Sequence, residues 1–125
     1  MKKSVKNYMT LLPQTIGERA NLYVAKMAMD ECSCHHLPVL DGGELTGMLS
    51  YHDLSLFLLS SKGKDSLVKD VMSTNPYIVS PDMPVQEVAV SMLEQKLSSA
   101  IVQAKGNEPW GIFTNTDALR MIAQL

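Results

Sequence analysis

The stretch VKNYMT, from Val5 to Thr10, returns as VKDVMS, from Val68 to Ser73, at an offset of 63 residues. Further on, GMLSYHDL from Gly47 matches GIFTNTDAL from Gly111 at an offset of 64, so one residue has been inserted between the two anchors. An internal duplication of this length predicts a pseudo-twofold fold in which each copy is half of a small domain and the copies face each other. Sites in such folds tend to lie in the cleft between the halves. Residues 1–62 form the first repeat on this reading and residues 63–125 the second.

Working outward from these anchors, each copy gives the same series of elements. A short helical lead-in, Lys3 to Met9 or Ser66 to Met72, ends before a proline, Pro13 or Pro76. In the second copy Tyr77, Ile78 and Val79 make a β-rich run, and Asp82 followed by Pro84 reads as an N-cap with proline in the first turn. Val85 to Lys96 then has its apolar residues at helical spacing. The first copy has Thr15 and Ile16 as strand and Leu22, Ala25, Met29 and Cys32 as the helix face, with Asn21 standing where Pro84 stands. Two strands follow, Leu37 to Leu40 and Leu45 to Leu49, joined by Asp41, Gly42 and Gly43, a hairpin signal. Their partners are Ala100 to Gln103 and Trp110 to Phe113, joined by Lys105, Gly106 and Asn107, with Trp110 after Pro109 read as packing or dimer contact. A helix closes each copy, Tyr51 to Leu59 and Asn115 to Ile122, and the polar SSKGK segment from Ser60 to Lys64 reads as a hinge.

Composition narrows the function. At 125 residues the chain suits one compact domain with no effector attached, so its output is expected to pass through a separate chain or its own oligomer. Eleven basic against thirteen acidic residues give a net charge of −2 without a basic cluster, which argues against direct nucleic-acid binding. The longest apolar run is too short to span a bilayer, and MKKSVKNYMT has no apolar core of a signal peptide, so a cytoplasmic location is expected. Two cysteines, Cys32 and Cys34, cannot build a disulfide framework and fit a reducing compartment. The nine methionines read as core filler.

The sharper signal is Ser50-x-x-Asp53 and Thr114-x-x-Asp117, each directly after an apolar strand and opening a helix. Hydroxyl, two residues, carboxylate is a capping box. The same geometry also makes a nucleotide seat, since a helix N-terminus offers free amides and a positive dipole end to an anion, while an acid can accept hydrogen bonds from ribose hydroxyls. The two roles do not exclude each other.

The order and spacing of these segments resemble the tandem CBS domain pair, also called a Bateman module, over essentially the whole chain. The resemblance rests on the two lead-ins, on TNPYIVSPDMPVQEVAVSML, on HHLPVLDGGELTGMLS and on the two glycine, apolar, apolar, hydroxyl, x, x, aspartate segments. It implies an α/β (α+β) fold of two pseudo-twofold-related β-α-β-β-α repeats packed through their sheets. It also implies a regulatory role, with an adenosine-containing ligand (AMP, ADP, ATP or S-adenosylmethionine) bound between the repeats and two modules pairing into a homodimer. Asp53 and Asp117 would hold ribose hydroxyls, with Ser50, Thr114 and Thr116 close to the sugar and phosphate. The base would lie, for Asp117, against Thr15, Ile16, Cys34 and His35, and for Asp53 against Ile78, Val79, Leu97 and Ser98. His35 and His36 stand where the family often has phosphate-contacting bases, whereas the second copy has Ser98 and Ser99 there. With the histidine pair and Arg120 in reach, the Asp117 cleft is the one expected to be occupied.

Cys32-Ser-Cys34-His35-His36 also gathers four metal-type donors, but so tight a cluster cannot wrap one ion tetrahedrally, so no metal is expected. No nucleophile and base, paired acids or closed metal site can be assembled, which sets enzyme chemistry aside. Two classes remain: a nucleotide-sensing module acting on an effector protein not identified by the sequence, and a structural dimerisation domain that binds no nucleotide and uses its serine and aspartate pairs only as caps.

Overall fold

A computed structural model describes residues 3–11, 13–60, 65–104 and 110–125. The chain is a mixed α/β protein whose strands form two sheets. In order along the chain it has a 3-10 turn (Val5–Asn7), β1 (Thr10–Leu11), β2 (Ile16–Gly17), α1 (Leu22–Cys32), β3 (His36–Asp41), β4 (Glu44–Ser50) and α2 (Tyr51–Leu58). Then come α3 (Val68–Val71), β5 (Ile78–Val79), α4 (Val85–Gln95), β6 (Ser99–Val102), β7 (Gly111–Thr114) and α5 (Asn115–Ala123). One sheet runs β2-β3-β4, with one parallel and one antiparallel pair, and the other β1-β7-β6-β5, with one parallel and two antiparallel pairs.

The register is the same in both repeats. Ile16 pairs with Val39 as Val79 pairs with Val102, and Leu37 sits opposite Leu49 as Ala100 sits opposite Phe113. The Asp41–Glu44 hairpin closes on Gly42 and Gly43, both at positive φ (60° and 85°), the conformation a two-residue turn between twisted strands requires. The corresponding turn at Lys105–Asn107, Pro109 and the hinge residues 61–64 lie outside the described residues.

The compact units do not coincide with the sequence repeats. A central unit spans Gln14–Pro76, and a terminal unit combines Met1–Pro13 with Tyr77–Leu125. The cause is an exchange of lead-ins. Val5, fully buried, belongs to the core with Val79, Val88 and Phe113, while Val68, also fully buried, packs with Leu22, Leu37 and Leu54. Backbone bonds repeat the exchange. The Val5 amide donates to the Met83 carbonyl and the Val68 amide to that of Ala20, each at 2.9 Å. Thr10 pairs with Ile112 in β7, and its counterpart Ser73 bridges Met48 in β4. Gly47 and Gly111 make room for these crossings. A Cβ on Gly47 would stand 2.6 Å from the Ser73 carbonyl oxygen, and one on Gly111 2.7 Å from that of Thr10.

Several expected boundaries shift. The lead-in helices are a 3-10 turn and a single α-turn rather than seven-residue helices. Asp82 does not cap α4. Pro84 occupies the N-cap position, and Asp82 instead pairs with Lys6 at 2.8 Å. The first copy holds the side-chain cap, since Asn21 accepts a 2.8 Å bond from the Tyr23 amide. Both α1 and α4 end on a residue in the left-handed region, Ser33 (φ 54°) and Lys96 (φ 58°), with paired bonds back into the last turn.

Candidate helix-terminus sites

In the terminal unit, strand β7 delivers Thr114 to the start of α5, and Asp117 follows one turn in. Asp117 is 4% exposed, the one buried charged residue among the described residues. Its Oδ2 accepts from the Thr114 amide (2.9 Å) and hydroxyl (3.2 Å), and its Oδ1 accepts from the Thr10 hydroxyl (3.1 Å) and Arg120 Nη1 (3.0 Å). The full capping box is closed, and both oxygens are taken. Arg120, expected as a guanidinium for a ligand, is engaged with Asp117, and Thr116 is exposed on the first turn of α5.

The central unit builds the same start differently. Ser50 caps α2 by accepting a 3.1 Å bond from the Asp53 amide, but Asp53 makes no return bond to the Ser50 amide and stays exposed. His36 lies directly opposite Ser50 in the β3-β4 ladder, half-buried. Burial pushes its imidazole below the usual range, the neighbouring His35 adds to this, and the Asp53 charge opposes it. His35 is exposed, its ring edge-on to Tyr51 at 5.9 Å, and its carbonyl accepts the Tyr51 amide at 2.8 Å. Ser50, Asp53, His35, His36 and the first amides of α2 therefore converge on one patch. In the terminal unit Ser99 and Ser98 stand in place of the histidines.

The remaining expected residues fall as follows. Ile16 and Val79 point into their own cores, so each offers a ligand only its backbone, whereas Thr15 is half-buried and Ile78 is 48% exposed. Thr15, Ile16, Cys34 and His35 belong to the unit that holds Asp53, while Ile78, Val79, Leu97 and Ser98 belong to the unit that holds Asp117. The groupings expected across the repeats are thus not ones that either unit forms by itself. Thr10 is the contact to Asp117 that the sequence alone does not reveal. Its only signal was a hydroxyl at the end of each lead-in.

Cys32 and Cys34 were expected to fit a reducing compartment without a disulfide framework. The structure joins them in a disulfide, because the left-handed Ser33 folds the chain back and brings their Cα atoms to 5.2 Å. Among the described residues no group of three or more His, Cys, Asp or Glu is placed to hold a metal ion. No helix among them is long and apolar enough to cross a membrane.

The sequence profile of the CBS domain matches residues 5–60 and again 68–124. The chain belongs to the CBS domain family. As a CBS pair it is 29% identical to a CBS domain-containing protein of Dictyostelium discoideum, covering all of this chain and 94% of that one. Other relatives are much longer: the CBS pair spans 23% of the L-aspartate semialdehyde sulfurtransferase of Methanocaldococcus jannaschii and 21% of the inosine-5'-monophosphate dehydrogenase of Korarchaeum cryptofilum, at 25% and 27% identity over 94% and 82% of this chain. Among solved structures, the CBS domain pair of protein MJ0100, in complex with 5'-methylthioadenosine and S-adenosyl-L-methionine, superposes with a TM-score of 0.88 at 24% identity, covering 99% and 98% of the two chains. CBSX2 of Arabidopsis thaliana in complex with AMP gives 0.80 at 24% identity over 97% and 96%.

Proposed function

We propose that this CBS pair is a regulatory module that binds an adenosine-containing nucleotide and passes the binding event to an effector protein, and that its seat is the N-terminus of α2. The carrying observation is the contrast between the two acids: Asp117 has both oxygens occupied and is buried, whereas Asp53 is exposed beside Ser50 and His36. In this reading the Asp53 carboxylate accepts the two ribose hydroxyls, the Ser50 hydroxyl donates to a phosphate or sugar oxygen, and the first amides of α2 face the anion. His36, whose imidazole burial holds below the usual range, lies beside this seat. The geometry favours the Asp53 seat over the Asp117 seat, which would first have to exchange Thr10 and Arg120 for ligand hydroxyls. That two proteins of the same fold hold adenosine compounds supports the ligand class.

Thermal unfolding in the presence of AMP, ADP, ATP and S-adenosylmethionine tests this. A ligand at a hundred times its dissociation constant adds about 2.7 kcal/mol, which raises the midpoint by several degrees. At least one of the four stabilises the protein, and the shift disappears in Asp53→Ala. No shift with any of them contradicts the reading.

A second reading, a homodimerising scaffold, is favoured by exposed apolar stripes at helical spacing: Tyr23, Val24 and Met27 (60% exposed) on α1, and Val90 and Leu93 (79% exposed) on α4. It is compatible with the first, and sedimentation equilibrium of Met27→Lys with Leu93→Lys against the native chain measures it.

A further inference from the structure

The two helix ends that precede β3 and β6 have the same backbone. At α1, the Ser33 amide donates to the Asp30 carbonyl (3.4 Å) and the Cys34 amide to that of Met29 (3.0 Å); at α4, the Lys96 amide donates to Leu93 (3.2 Å) and the Leu97 amide to Met92 (2.8 Å). The φ and ψ of Ser33 (54°, 39°) and Lys96 (58°, 42°) agree closely. The second copy makes this turn with Gln95, Lys96 and Leu97, without a cross-link. The Cys32–Cys34 bond is therefore not needed to form the turn. A covalent bond that the fold does not need, between two half-buried cysteines, suits reversible chemistry.

The site also has an outlet. Cys34 is followed by His35, whose carbonyl holds the Tyr51 amide at 2.8 Å and whose ring meets the Tyr51 ring edge-on. Tyr51 is the first residue of α2, between Ser50 and the exposed Asp53. A constraint at Cys34 thus acts one peptide away from the bond that anchors the start of α2. The corresponding bond in the other unit, from the Asn115 amide to the Ser98 carbonyl, is longer at 3.2 Å and has no cross-link beside it.

We propose that Cys32 and Cys34 form a reversible dithiol–disulfide site whose oxidant is a low-molecular-weight disulfide, and that closing it stiffens the anchored N-terminus of α2. The chemistry balances as thiol–disulfide exchange. One cysteine thiolate attacks the small disulfide R–S–S–R, forming a mixed disulfide and expelling one R–S⁻. The second cysteine thiolate then attacks the protein-side sulfur of that mixed disulfide, the intramolecular bond forms, and a second R–S⁻ leaves. The protein loses two protons and two electrons, and the reagent is reduced to two thiols. The effect on nucleotide affinity rests on the Asp53 reading above, whereas the redox site and its mechanical outlet do not.

The test uses the full chain equilibrated with dithiothreitol or with oxidised glutathione, with Cys34→Ser as the permanently open variant. Intact mass and thiol counting follow the bond, amide hydrogen exchange at Tyr51 and Asp53 follows the outlet, and AMP titration follows affinity. Oxidation removes both thiols without leaving glutathione attached, and slows Tyr51 exchange by about tenfold relative to the reduced protein. Cys34→Ser exchanges like the reduced protein under both conditions, and the Asn115 amide responds to neither. Failure of the bond to form in oxidised glutathione overturns the proposal, as does a bond that forms while Tyr51 exchange is unchanged. Absence of AMP binding in both redox states counts against the nucleotide reading alone, because the exchange result stands without it.

Discussion

Asp53 and Asp117 occupy the same place in a repeated motif and carry different physical loads. For Asp117, four hydrogen bonds and near-complete burial mean that removing the carboxylate strands the Thr10 and Thr114 donors and frees Arg120. Asp117→Ala is expected to cost about 2–3 kcal/mol in denaturant unfolding, since buried polar groups lose their partners. Asp53→Ala, exposed and without the return bond, changes stability by within about 0.5 kcal/mol. Equal losses in the two variants contradict this division of roles. His36 gives a pH signature. Its imidazole is held below the usual range in the folded state, so the unfolded chain binds the proton more readily. Stability is then retained above the ordinary histidine pKa of about 6.5 and falls as pH drops through it towards the lowered native value. His36→Gln flattens the fall below the ordinary histidine pKa of about 6.5, and an unchanged slope shows that other groups carry it. At this scale the motif pair was legible, because hydroxyl and acid at that spacing after an apolar strand have few alternatives. The inequality of the two acids was not legible, because it comes from Thr10 and Arg120 folding onto one copy and not the other.

The elements show where local chemistry suffices and where it does not. The Asp41–Gly42–Gly43 turn, the apolar strands and the α4 face were all readable, since glycines at positive φ and helical spacing leave direct marks. Asp82 does not cap α4, since it pairs with Lys6, a partner far away in the sequence. Asn21 acts as the true side-chain cap, so Asn21→Ala should lower stability by about 1 kcal/mol while Asp82→Ala leaves α4 intact, as read by thermal denaturation and helical ellipticity. The crossings at Gly47 and Gly111 are a second element-level constraint. Added methyl groups would meet backbone oxygens at 2.6 and 2.7 Å, which a rotamer change cannot relieve. Gly47→Ala and Gly111→Ala are each expected to destabilise by about 1–3 kcal/mol, and a neutral result in either would mean that β4 or β7 can move away from the incoming lead-in.

Across the whole molecule, the duplication visible in sequence is cut differently by the fold. Lead-ins are exchanged through main-chain bonds such as Val5 to Met83 and Val68 to Ala20, and main-chain atoms leave no mark in the sequence. The repeat boundary near residue 62 therefore follows from pattern, while the compact boundaries at residues 13 and 76 follow only from coordinates. A fragment of residues 14–76 keeps the whole core around Leu22, Leu37, Leu54 and Val68, whereas residues 1–62 lose Val68 and carry Val5 without its partners. Circular dichroism of the two fragments should show more ordered structure and a cooperative melt in 14–76 only, and equal behaviour would contradict the exchanged architecture. The central claim is that the open acid at the start of α2 holds the nucleotide. Calorimetric titration of AMP into the native chain, Asp53→Asn and Asp117→Asn tests it most directly. The account predicts saturable binding to the native chain that weakens by at least about tenfold in Asp53→Asn and persists in folded Asp117→Asn, consistent with loss of paired hydrogen bonds to a charged acceptor. Native-like binding by Asp53→Asn would contradict it.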